Sequence, residues 1–107
     1  DHTVTARATL TACRTLPGSK IRRVLCGEVL SSSEYTFPEH RFQPTSFADI
    51  SGFVEAKCRA MEAYAGEIRE WPHPRSTQAI RALAQLRGSE IGCEAAEALR
   101  VLREIVE

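Results

Sequence analysis

Residues 70–76 read Glu-Trp-Pro-His-Pro-Arg-Ser, and this stretch limits the possible folds more than any other. Pro72 and Pro74 each lack a backbone donor and fix their own φ. Each also pushes the residue before it out of the helical region. No helix passes through, so the chain is divided there. Ahead of the break, Val54, Cys58, Met61, Ala65 and Ile68 fall on one apolar stripe. That spacing predicts a helix over residues 54–68, with Glu55 and Arg59 as an outward i, i+4 pair. Behind the break, Ser76 stands at the N-cap of a helix running to Leu86, with Ile80, Leu83 and Ala84 facing inward.

The remaining segments follow from the same signals. Ala6, Leu10 and Cys13 predict a helix over residues 3–16, stopped by Pro17-Gly18. Residues 22–30, RRVLCGEVL, are almost continuously apolar after the two arginines, as in a strand buried on both faces. Residues 31–44 are polar and proline-bearing and read as a loop; SFADI at 46–50 reads as a short strand, with Ser51 at a helix N-cap position. After RGSEIG, a final helix would carry Ala95, Leu99, Leu102 and Val106 on one face, with Glu94 near its start. The order α-β-loop-β-α-α-α belongs to the α/β class, and it predicts the helix-rich C-terminal half of a parallel sheet.

At 107 residues the chain is one domain or part of one. Fourteen basic residues balance fourteen acidic ones, without a long run of either sign, so the basic footprint of a nucleic-acid binder is missing. No apolar run approaches membrane-spanning length. Cys13, Cys26, Cys58 and Cys93 are scattered and form no C-x-x-C pair. They read as small hydrophobes of a protein in a reducing, cytoplasmic setting.

Several residues are candidates for chemistry. His2, with Asp1 beside it, has the donor atoms of a metal ligand and its supporting acceptor, although a terminal Asp-His pair alone is a weak signal. His73 and Arg75 lie on a backbone stiffened by the two prolines, which suits either a preorganised site rim or a plain helix stop. Arg87-Gly88 and Gly92 read as a sharp helix-to-helix turn, with Arg87 bridging to Glu94 or Glu97 by default. Glu28 and Glu34 flank the end of the first strand, where ligands gather in open parallel sheets. His40 has no partner and reads as exposed. There is no G-x-S-x-G elbow, phosphate loop or dinucleotide fingerprint.

EVLSSSEYTF, RFQPTSFADIS, EAKCRAMEAYAGEI, WPHPRS and LAQLRGSEIGCEAAEAL, taken in order, resemble the C-terminal half of the PIG-L/LmbE-like deacetylases. The resemblance spans nearly all 107 residues, and HPRS and RGS-x-x-G-x-x-x-AEA are its most specific pieces. It implies a Rossmann-like domain that uses zinc to remove acetyl groups from N-acetylglucosamine-type glycoconjugates. Asp1-His2 matches the family's D-H motif, so His2 is implied as a zinc ligand and Asp1 as its neighbour. The same resemblance moves His73 and Arg75 toward a site rim in contact with the sugar, with Glu34 and Arg87 as further substrate-binding candidates. The family's H-P-D-D motif, which supplies two ligands and the general base, does not occur in these residues. Residues 1–107 are therefore expected to be the C-terminal portion of one such domain, inactive in isolation. Cut at Asp1, that portion would leave the strand at Val24 and Leu25 without a neighbour. The alternatives are a non-catalytic interaction module and a family member that binds sugar without hydrolysing it.

Overall fold

A computed structural model describes residues 1–107. The elements run α1 (His2–Ala12), β1 (Arg23–Gly27), β2 (Ser46–Asp49), α2 (Val54–Glu62), α3 (Thr77–Ile91) and β3 (Ala96–Glu104). Between β1 and β2 the chain makes two short 3-10 turns, Ser33–Tyr35 and Pro38–His40. The class is mixed α/β, but the sheet is antiparallel throughout. β3 lies in the centre, with β1 on one side and β2 on the other. A Rossmann-like parallel sheet is not what these strands form.

The largest departure from the sequence expectation is β3. Ala95, Leu99, Leu102 and Val106 match a helical stripe, yet residues 96–104 are extended. α3 ends at Gly92 in the left-handed region (φ 79°), and the chain doubles straight back against the helix it has left. A Cβ on Gly88 would lie 2.6 Å from the Cys93 carbonyl oxygen and 2.7 Å from the Ala95 nitrogen. That close return, and the buried small side chains of Ala95, Ala96 and Ala98, set the strand under α3. Two ladders then outweigh a local helix preference.

β1 is also corrected. Rather than a strand buried on both faces, only its Val24 is buried, and Leu25 is 37% exposed. It pairs with β3 alone, with a register shift between Val24 and Leu25, and its other edge meets no strand. α1 forms but ends at Ala12, short of the expected stop at Pro17-Gly18. Every one of its residues is exposed, and it stands off from β1 across an open groove of about 450 Å³.

α2 is shorter than its stripe predicts. It ends at Glu62, and a turn follows in which Glu67 donates to the Tyr64 carbonyl and Arg69 Nη1 donates to the Gly66 and Ile68 carbonyls. Cys58 is the most buried side chain of α2, and burial pushes its thiol pKa up. Ser51 does not cap this helix; its hydroxyl accepts from the Ala95 nitrogen at 3.4 Å. Glu55 reaches across to Arg81 on α3 in a two-pronged pair (2.8 and 2.9 Å) rather than to Arg59. Ser76 caps α3 as expected, its Oγ accepting from the Ala79 nitrogen at 3.0 Å. Ile80 and Ala84 face the core.

Candidate functional site

The candidate site is an open cleft of about 550 Å³. Its walls are the first turn of α1, the segment leaving β1, the exposed side of α2 and the first half of α3. Leu30, Met61, Ile80 and Leu83 line it with apolar surface, while His2, Glu28, Lys57 and Arg75 supply polar groups. An apolar lining with a few convergent polar groups is the usual makeup of a small-molecule site.

The polar groups are tied down before any ligand arrives. Glu28 accepts from Arg87 Nε at 2.9 Å and Nη2 at 2.6 Å, while Arg87 Nη1 is shared with Glu90. Both side chains of the Arg87–Glu28 pair are only about one-seventh exposed, at 14% and 15%. The Glu28 carboxylate beside it, with a smaller contribution from Glu90, raises the Arg87 pKa further, although burial opposes this. Arg87 thus pairs with Glu28 and Glu90, not with the Glu94 or Glu97 that the sequence favours. It lies within α3, and the turn after it leads to a strand, not to a helix. Lys57 pairs with Glu97 at 2.6 Å, and Arg75 pairs with Glu67. Every charged side chain on the cleft wall, Glu28, Lys57, Glu67 and Arg75, therefore has a partner within the protein.

The sequence candidates separate into three groups. His2 and Arg75, 73 positions apart in the sequence, both line the cleft, and Arg87 sits behind it holding Glu28. His73 belongs to its own turn: its Nδ1 accepts from the Arg75 backbone nitrogen at 3.0 Å, which leaves the ring's proton on Nε2 in the neutral form. Glu34 lines an adjoining cavity, with its Oε1 accepting from the Ser31 nitrogen. Asp1 lies along the α1–β1 groove, where its carbonyl accepts from Thr5 at 2.8 Å.

No family model and no curated protein matches this chain. The residues must therefore be weighed on their own geometry. No group of three or more His, Cys, Asp or Glu side chains converges on a point that could hold a metal ion. The cleft wall holds three His, Cys, Asp or Glu side chains, His2, Glu28 and Glu67, and both carboxylates are already engaged by arginines, which leaves His2 alone. Zinc takes three protein ligands at minimum in its catalytic sites, so these residues alone do not fit it.

Sequence reasoning missed Lys57, Tyr64 and Glu67 as cleft residues. Glu67 carried a usable signal, a carboxylate ahead of the proline break with Arg75 just behind it. Lys57 and Tyr64 carried none, because α2 was read only for its buried stripe.

Proposed function

We propose that this chain belongs to a de-N-acetylase of the PIG-L/LmbE type and forms the substrate-facing wall of its site. The observation that carries the reading is that His2 and Arg75 line the same cleft, although 73 positions separate them. Arg75 belongs to HPRS, one of the two most specific pieces of the resemblance, and His2 to the stretch that matches the family's D-H motif.

The chemistry of the wall favours a neutral, hydroxyl-rich ligand. Its cations are already neutralised, so a bare anion gains little there, whereas hydroxyls can share hydrogen bonds with paired Arg and Glu groups. The apolar lining suits the methyl of an acetamido group. Arg75, fixed by Glu67, would orient the sugar. Glu28, fixed by Arg87, offers acceptor lone pairs. His2 is the one zinc ligand the reading assigns to these residues. The other two ligands and the general base would come from an H-P-D-D motif outside residues 1–107. A zinc ion held jointly by His2 and those two ligands would supply an activated water for amide hydrolysis.

Acetate release from an N-acetylglucosaminide tests the proposal. Residues 1–107 alone, with zinc added, should release none. The protein with whatever its gene encodes ahead of Asp1 should do so, and lose most of that activity on Arg75→Ala. An Arg75→Ala enzyme with unchanged kcat/KM contradicts the proposal, as does turnover by residues 1–107 that His2→Ala abolishes.

A further inference from the structure

Trp71 is the chain's single tryptophan, and it lies outside the cleft just described. It is 56% exposed and, with Pro72 and Pro74, borders a second cavity of about 540 Å³. Phe42, Arg41 and Glu34 also line this cavity. The Arg87 guanidinium lies 6.0 Å from the centre of the Phe42 ring, so the same arginine that fixes Glu28 also steadies this wall. Apart from Glu28, which both cavities share, the charged groups here are open. Arg41 is hydrogen-bonded only through its backbone, to Pro38, and its guanidinium has no partner. Glu34 uses Oε1 to hold Ser31, and its Oε2 accepts from nothing. Glu28, Leu30 and Leu83 line both cavities, which therefore adjoin.

We propose that the second cavity is a sugar subsite in which a pyranose ring lies against Trp71 and hydrogen-bonds to Arg41 and Glu34. A pyranose has a face of C–H groups and a rim of hydroxyls that both donate and accept. The indole offers an apolar surface for the face. A free guanidinium donor and a free carboxylate acceptor meet the rim. A simple anion would gain from Arg41 but be repelled by Glu34, and an aromatic ligand would leave both groups unused. The proposal rests on the amino-sugar reading of the first cleft and extends it: the ligand spans two rings, the second beside Trp71.

Because Trp71 is the sole tryptophan, its emission reports directly on this cavity. The protein is titrated with N-acetylglucosamine and with N,N'-diacetylchitobiose, following fluorescence and, in parallel, calorimetry. The disaccharide should shift Trp71 emission to shorter wavelength and bind about tenfold more tightly, the effect of one stacked ring. Arg41→Ala should remove most of that advantage and leave monosaccharide affinity unchanged, and Glu34→Gln should also remove most of it. Arg41 has no side-chain partner to lose, so its variant remains informative if Glu34→Gln unfolds. Equal affinity for the two sugars with unaltered Trp71 emission overturns the second subsite and leaves the first cleft's reading standing. Chitobiose that perturbs Trp71 while its affinity ignores Arg75→Ala upholds the subsite and contradicts the first reading. Binding of neither sugar overturns both.

Discussion

At the scale of single residues, Arg87 organises most of the site. It grips Glu28 with two nitrogens, reaches Glu90 with a third and lies over Phe42, so one side chain joins both cavities. Arg87→Ala would leave the Glu28 carboxylate mostly buried without a counter-charge, and should cost about 3 kcal/mol in urea unfolding. Arg87→Lys should recover less than half of this, because an ammonium cannot make the paired contact. Glu55 illustrates a different balance. Its hydrogen bonds to Arg81 lower its carboxyl pKa below the ordinary value of 4.5. A lowered acid favours the folded state above its unfolded pKa, and that contribution is lost as pH falls through the folded value. The thermal midpoints of the wild type and Glu55→Gln should therefore differ at neutral pH and converge below 4.5. A gap that persists in acid would show that the pair is not its source.

At the scale of elements, what was legible depended on whether the signal was local. Ser76 and the two prolines fixed the start of α3 because a cap and a missing donor act within a few residues. The strand at SFADI and the helix starting at Val54 were readable from their own residues. The helix showed in its Val54, Cys58 and Met61 stripe and not in Ser51, which does not cap it. Residues 96–104 were misread because their fate is set by partners far along the chain, Arg23–Gly27 and Ser46–Asp49, which no spacing within the segment reveals. Once that strand is taken for a helix, the antiparallel sheet cannot be inferred. Half of the cleft was legible, through His2 and Arg75. Glu28's tie to Arg87 was not, since 59 positions separate the two. Gly88 tests the account of β3. Gly88→Ala would press a methyl onto the backbone of Cys93 and Ala95, which cannot swing aside as a side chain does. It should cost about 2–3 kcal/mol, the upper part of the range for overpacking, and raise amide exchange in β3 first. A neutral substitution would mean that the helix and strand are not held that closely.

At the scale of the molecule, little of the chain is enclosed. Nine residues are buried, most of them small, around the contact of α3 with the sheet. β1 keeps an unpaired edge with Leu25 exposed, and α1 adds Leu10 to the groove beside it. Open edges of this kind pair with other chains. Leu25→Lys should reduce concentration-dependent association in sedimentation velocity, whereas equal association in both proteins would place the contact elsewhere. No helix is long and apolar enough to cross a membrane. The cleft itself depends on this sparse core only through α3 and α2, which carry Ile80, Leu83 and Met61 on one side and the buried Cys58 on the other. The central claim, that this cleft receives an amino sugar, is tested most directly by titrating N-acetylglucosamine into isotope-labelled protein and following backbone amides by NMR. Saturable shifts should appear at Glu28, Leu30, Met61, Arg75 and Leu83 and disappear in Arg75→Ala. Shifts confined to other surfaces, or none at millimolar sugar, would contradict it.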